Sequence, residues 1–514
     1  MGRELMLENT RVLRGVLSCA VATLTLLGSP VAVAHEEAHG ASVILADPRV
    51  RASDPRVDPA KRRWLAGDHH VHSQFSVSYT PAADGVSAPI PVISGDAIHP
   101  IPTNAAMGRK FGLSWIVATD HGGPDHAKID RDLAYPELLK SRRQTPGVLQ
   151  FYGMELNTPG AEHSSIIVPD NPAEQAVLFG IESQFDHRQP WPADPTWNTE
   201  ARMIEALQYM AKITAPPVVI ANHPARTATG MGAYGLVSPG ELRNWNDVAP
   251  NVAIGMEGAP GHQAGSLNAK GVADPESAFR GAYRRAPTMG GYDQMTARLG
   301  GFWDSMLAEG RHWWVTSTSD SHRHYTEGGN DFWPGEYSKT YVKAVARPAD
   351  VLDGLRNGRI FVTLGDLVSE LDVTATTPDG VSRAEIGGTL TVPRGSDVTI
   401  IIRLRDPAGA NFGGGRPDVA RVDLIEGAVT GPAADRAADS APATRVVRRF
   451  GPKDWVRNGE RLAMVHTLRN VTGPIYVRVR GASGAELEPT PDTAGEDPWS
   501  DLWFYANPVF INVE

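Results

Sequence analysis

Sixteen histidines against a single cysteine make imidazole, not thiolate, the ligand chemistry open to this chain. Thirteen of the sixteen lie between His69 and His324, while His35 and His39 stand near the N-terminus and His466 far downstream. Five local groups carry the pattern. The first is Asp68-His69-His70-Val71-His72-Ser73; in an extended segment residues i and i+2 point the same way, so His70 and His72 can grip one ion while His69 and Val71 point away. The second ends an apolar run at Asp120-His121, and the third places Glu155 after Tyr152-Gly-Met, with His163 following. Asn222-His223-Pro224-Ala225-Arg226 is the fourth and Ser319-Asp320-Ser321-His322 the fifth. Each alone is weak, because an isolated His-x-His or Asp-His is more often a surface pair than a ligand pair. Together they supply six imidazoles (His70, His72, His121, His163, His223, His322) with the carboxylates Glu155 and Asp320. That set suits Zn²⁺, Mn²⁺ or Fe²⁺; it is too large for one tetrahedral ion and sufficient for two with Glu155 bridging.

The elements that must hold these groups are short apolar runs read as strands: Ser114–Thr119, Val148–Tyr152, Ser164–Val168, Pro217–Ala221, Val252–Met256, Trp313–Thr316 and Ile360–Val362, with Trp64–Gly67 before the first cluster. Helical patterns fall between them at Asn104–Phe111, Glu200–Lys212, Tyr292–Leu307 and Pro348–Arg356. The alternation over 64–365 points to an α/β parallel sheet or barrel, with the ligand groups at strand exits. From about Gly365 the period changes to two: Val398, Ile400, Ile402 and Leu404 alternate with Thr399, Ile401, Arg403 and Arg405, as do Ile475, Val477 and Val479 with Tyr476, Arg478 and Arg480. A C-terminal all-β sandwich over 366–514 is the expected unit.

Composition narrows the setting. The 514 residues suggest about three domains, and an apolar share of 41% is enough for a sizeable core. A net charge of −10 leaves no basic footprint for nucleic acid, so a small-molecule substrate is the expected partner. Arg11 and Arg14 precede the uncharged apolar run Val16–Leu27, then a Gly-Ser-Pro break and Ala32-Val33-Ala34. This is the build of a secretory signal over 1–34, followed by a tail over 35–63. The run is too short for the ~20 residues of a membrane span, so no stable anchor is expected after cleavage and the mature protein is expected in the periplasm or outside the cell. Cys19 would leave with that segment.

The ordered groups resemble the PHP (polymerase and histidinol phosphatase) superfamily of metallohydrolases. The opening Asp-x-His-x-His-Ser/Thr stands here as Asp68, His70, His72 and Ser73; Thr-Asp-His as Thr119, Asp120 and His121; the closing Ser-Asp-x-His as Ser319, Asp320 and His322. The resemblance implies a distorted (β/α)7 barrel with two or three divalent ions, Glu155 bridging and His163 and His223 completing the set. An exported chain with a C-terminal β-domain is similar to the carbaryl-hydrolase-like branch. Trinuclear members carry one more ligand shortly after the His-x-His pair, where this chain has Val77 and Ser78 and no carboxylate before Asp84, which favours two ions over three.

The chemistry so implied is hydrolysis by a metal-bridging hydroxide, most readily of a small phosphate mono- or diester. His121 and His322 are expected to bind the substrate-side ion or to donate a proton to the leaving oxygen, and Asp120 to orient a ligand. Arg226, His324 and His262 are the candidate substrate contacts, with His262 on a loop over the site, and Glu257 is either a site acid or a structural one. Ester, carbamate or amide hydrolysis with the same ions is the alternative, as is a non-catalytic metal- or surface-binding protein.

Overall fold

A computed structural model describes residues 57–514, all within one compact unit; the expected signal segment and most of the tail lie outside the described residues. Nine strands carry the first part of the fold: β1 (Arg63–Val71), β2 (Trp115–Asp120), β3 (Leu149–Asn157), β4 (His163–Ile167), β5 (Val218–Ala221), β6 (Ala253–Ala259), β7 (Trp314–Ser317), β8 (Ser338–Ala344) and β9 (Ile360–Leu364). They form one mixed sheet in the order β9-β8-β1-β2-β3-β4-β5-β6-β7. The expectation of a parallel sheet holds for β1-β2-β3 and β5-β6-β7 but not for β4, which runs antiparallel to both neighbours. Only Thr158–Glu162 joins β3 to β4, too few residues for a parallel crossover, which takes a dozen or more. The outer members of the β1–β7 run are tied together: the His72 N–H donates to the Ser321 carbonyl (3.1 Å), beside a parallel bridge between Val71 and Ser321.

Among the described residues, seven helices of seven or more residues pack around these strands: α1 (Ile101–Lys110), α2 (Tyr135–Gln144), α3 (Glu174–Phe185), α4 (Glu200–Ala211), α5 (Pro239–Val248), α6 (Phe302–Ala308) and α7 (Pro348–Arg356). In α4, Thr199 caps the first turn through the Arg202 N–H, and Met203, Ala206, Leu207 and Met210 bury one stripe at helical spacing. The single helix expected over Tyr292–Leu307 is instead a turn at Gln294–Ala297 followed by α6, because Gly300 turns the chain at φ +67°. Among the described residues no helix is long and apolar enough to cross a membrane.

The C-terminal region adds β10 (Glu370–Thr376), β11 (Thr389–Val392), β12 (Ser396–Arg405), β13 (Arg421–Ala428), β14 (Arg445–Phe450), β15 (Arg461–Val471), β16 (Ile475–Ala482), β17 (Trp503–Ala506) and β18 (Val509–Val513). β10, β12 and β15 form the centre of a separate five-stranded antiparallel sheet with Arg383–Glu385 and Val456–Asn458 at its edges, in which Val398, Ile400, Ile402 and Leu404 of β12 are buried in alternation as their spacing requires. The other strands extend the large sheet through β17, which pairs antiparallel with β9. β16 departs from the expected half-exposed strand and is buried on both faces. Arg478 there forks onto Asp304 of α6 through two 2.7 Å bonds, while Arg480 reaches Asp423 of β13 at 3.2 Å. The Tyr476 hydroxyl also donates to Asp304 (3.0 Å), and the Trp303 ring lies 4.7 Å from the Arg478 guanidinium.

Two stability predictions follow from this packing. Asp304→Ala would strand a buried guanidinium at a cost of about 3–5 kcal/mol; denaturant unfolding showing a loss below about 1 kcal/mol, the value of an exposed pair, would refute the coupling. The second concerns α5, where Ser238 and Glu241 form a reciprocal capping box with Pro239 in the first turn. Burial pushes the Glu241 carboxyl up to about 7, so the native state holds a proton that the unfolded chain has released. The stability this contributes at acidic pH is lost as pH rises toward 7. Glu241→Gln keeps the cap, and its melting temperature should fall less between pH 5 and pH 8 than the parent's; parallel curves would contradict this.

Candidate metal centre

The ligand residues converge at one end of the β1–β7 strands. His70 sits inside β1 rather than beyond it, at a bulge between Asp68 and Val71 where the register against β2 shifts. Glu155 likewise lies within β3, and His163 opens β4 opposite Asn157. His223, His262 and Asp320 all adopt left-handed backbone conformations (φ 29°, 54° and 48°). Such strain in non-glycine residues persists only where the surroundings over-determine it, and it clusters at functional sites.

At the centre His70 Nε2 lies 3.0 Å from His72 Nε2, 2.9 Å from Glu155 Oε1 and 3.2 Å from Asp320 Oδ1. His72 Nε2 is 3.1 Å from the same Asp320 oxygen and 3.5 Å from Glu155 Oε2. His163 Nδ1 and His223 Nε2 approach Glu155 Oε1 at 3.2 and 3.1 Å. These distances bring His70, His72, Glu155 and Asp320 into one metal-sized group, and His121, Glu155 and His163 into a second. Buried Asp320 Oδ1 and His163 Nδ1 have no hydrogen-bond partner despite these neighbours. Atoms that crowd together without hydrogen-bond alignment are arranged as ligands of a common cation, so the residues present fit a metal site.

The surrounding groups fix each ring. Glu257 Oε1 accepts a hydrogen bond from the His70 Nδ1–H at 2.7 Å, which turns Nε2 inward, while its Oε2 accepts the His223 backbone N–H at 2.7 Å. His72 Nδ1 meets Ser76 Oγ (2.8 Å), which donates to Asp120 Oδ1 (3.1 Å); Asp120 also receives the Ser73 N–H and hydroxyl. Asp120 thus stands behind His72, orienting it through Ser76, as outer partners of metal-bound histidines do. Asp68 accepts from the backbones of His70 and Ser319 and clamps the first and last motifs together (3.1 Å each). His69 points away, its ring held by Ser165 and Thr316.

The rim is more open. His121, His163, His262 and His322 keep 15–18% of side-chain exposure and Arg226 21%, against 0–2% for His70, His72, His223, Glu155 and Asp320. Arg226 does not stand free: Nη2 donates to Asp320 Oδ2 at 2.7 Å, yet its buried Nε has no partner. His262, expected on a loop over the site, is instead wedged between Asp320 Oδ2 (3.0 Å) and Asp331 Oδ1 (2.5 Å). His324 is not brought into the cluster; Thr326 and Glu336 occupy both its ring nitrogens.

Electrostatics separate two kinds of imidazole. Burial lowers His72, and His322 adds to the effect; burial likewise holds His121 and His223 below the ordinary histidine value. For His70 burial is outweighed by Asp320, Glu155 and Glu257, so its ring stays protonated. Carboxylates similarly overcome burial at His262, raised to about 10 by Asp320 and Asp331, and at His322, raised to about 9 by Asp96 and Asp320. Glu155 and Asp320 are held well below the usual carboxylate range despite burial, Glu155 by His163 and His70 and Asp320 by His262 and His70. Protons here balance charge that a divalent cation would balance instead.

Asp96 escaped the sequence reading. Its Oδ2 lies 3.1 Å from His121 Nε2 and 3.3 Å from His322 Nε2, while Asp84, the carboxylate nearest the His-x-His pair, is spent on a surface turn with Ser87. The available signal was that Asp96 is the single acid between Asp84 and Asp120. Asn222, whose amide donates to Glu155 Oε1 at 2.9 Å, was likewise passed over beside His223.

No family model matches the chain, and no curated protein matches it. Among solved structures, a chitin binding domain from Burkholderia pseudomallei aligns over 24% of this chain and 56% of its own length, at 14% identity and a TM-score of 0.14. That overlap supports no assignment.

The arrangement predicts that Glu257→Gln, which preserves volume but removes the charge behind His70, lowers divalent-metal affinity about 10–100-fold. Competition with a chromophoric chelator measures it; unchanged affinity would remove Glu257 from the site's support.

Proposed function

We propose that the chain is an exported, metal-dependent hydrolase whose preferred substrates are small phosphate mono- or diesters, built on a PHP-type (β/α)7 barrel. The observation that carries the reading is the convergence of His70, His72, Glu155 and Asp320 within ligand distance of one another, with the buried Asp320 Oδ1 left without a hydrogen-bond partner. These four would hold one ion, and Glu155 with His163 and His223 the second. His121 and His322, sharing Asp96 on the open side, would complete the substrate-side set. Divalent ions there supply Lewis acidity and lower the pKa of coordinated water from about 15.7 toward about 7.

The protein's own groups do the rest. Arg226 spends one N–H on Asp320 and keeps its buried Nε–H unpaired, a donor set for a substrate oxygen and best matched to a phosphate. His322 holds a proton on Nδ1 against the Asp320 carbonyl (2.9 Å), which orients its Nε2 edge toward Asp96 and the open side. Where no ion takes these rings, His322 and His121 are instead placed to pass a proton to a leaving oxygen, worth about 10²–10⁴ in rate. Glu257, Asp120 and Asp68 keep the rings fixed throughout, so little reorganisation is needed.

Ester, carbamate or amide hydrolysis is the second reading. It is favoured by the apolar side chains Val86, Ile90, Val92 and Ile93, exposed on the loop that ends at Asp96.

The test is a panel of phosphomonoesters, phosphodiesters, carboxyl esters and carbamates with protein reconstituted in Mn²⁺ or Zn²⁺. Phosphoester turnover that falls at least about 100-fold in Glu155→Gln is expected. Turnover confined to carboxyl esters or carbamates would shift the assignment to the second reading, and none on any ester would overturn hydrolysis.

A further inference from the structure

Behind the rim lies a buried histidine with no part in the ligand set. His126 is fully buried, in the short helical turn His126–Ile129 that follows the His121 loop. Its Nε2 lies 2.9 Å from the Phe75 carbonyl, which can only accept, so that nitrogen carries a proton. Its Nδ1 lies 2.6 Å from Glu182 Oε1 on α3, and Gln189 donates to the same oxygen at 3.1 Å. The ring is flush against Gly122: a Cβ on that residue would fall 2.4 Å from the imidazole. Glycine is therefore required directly after His121.

The contacts of Phe75 and Gly122 lead straight to the rim. Next to Phe75, the Ser76 hydroxyl holds His72 Nδ1 (2.8 Å) and accepts the His121 backbone N–H (3.2 Å). Next again, the Val77 N–H donates to the His121 carbonyl (3.2 Å). The His121 peptide is thus gripped on both sides by residues 76–77, and that segment is pinned one residue earlier by His126. On the far side the Gly122 carbonyl accepts from Asn157 (2.9 Å), whose amide also reaches Asp186 (2.8 Å).

We infer that His126, braced by Glu182, is a positioning residue that sets the separation of His72 and His121, and with it the affinity of the open-side ligand group His72, His121 and His322. The inner group shares His72 with the open side, but its other ligands His70, Glu155 and Asp320 are held by Glu257, Asn222 and Arg226, none of which His126 touches. Loss of His126 should therefore divide the two groups energetically: binding on the open side, which loses the placement of both His72 and His121, weakens more than binding inside, which shares His72 alone. This rests on the metal reading above.

The experiment is Co²⁺ titration of the apo full-length protein, following the visible ligand-field bands and the number of ions bound, for the parent, His126→Asn and Glu182→Gln. The parent is expected to take up Co²⁺ in a tight and a weaker phase. In His126→Asn the weaker phase should loosen about 10–100-fold with altered bands and the tight phase clearly less, while Glu182→Gln, which keeps an acceptor for Nδ1, should retain most of the parent's affinity. Should His126→Asn fail to fold, Gly122→Ala displaces the same loop and should weaken the same phase. Equal loosening of both phases, or none, in a folded variant overturns the inference. Failure of the parent to bind Co²⁺ would instead overturn the metal reading itself.

Discussion

Carboxylates and imidazole lone pairs do not gather at 3 Å in a buried interior unless positive charge lies among them. Glu155 is surrounded by His70, His163 and His223, and Asp320 by His70, His72, His262 and Arg226. Much of the fold serves to make that crowding tolerable. The bulge in β1, the antiparallel insertion of β4 and three left-handed residues each bring a ligand to a place that regular structure would not. The outer acids Glu257, Asp120 and Asp68 then remove the rotational freedom by which the rings would otherwise part.

The legible and illegible parts of the sequence divide along physical lines. The inner ligands could be read because i, i+2 spacing and apolar runs ending in polar pairs are local properties of a strand. The alternation of β12 was readable for the same reason. Asp96 was hidden because it reaches His121 and His322 from an irregular loop, where no period constrains position. His324 misled by proximity to the last motif; two residues beyond His322 the chain has already turned, and Thr326 and Glu336 satisfy it. Arg478 and Arg480 looked like the outward face of an edge strand. Only the three-dimensional contacts with Asp304 and Asp423 explain why that face is covered.

The imidazoles of the site fall into two electrostatic classes that do not follow depth. Burial holds His72, His121 and His223 low, as ligands require. His70 in the interior and His262 and His322 at the rim face more carboxylate than burial can offset. The number of facing carboxylates, not depth, decides which rings offer lone pairs.

The far end of the chain also bears on the site. The Asn507 side chain brackets the Val315 backbone, accepting its N–H at 3.0 Å and donating to its carbonyl at 3.2 Å, just after β17 closes on β9. Val315 belongs to β7, the strand that delivers Ser319, Asp320 and His322. During synthesis those ligands emerge nearly two hundred residues before the amide that seats their strand. The C-terminal region is thus part of the site's frame: loosening Asn507 would loosen the strand that presents Asp320 and His322.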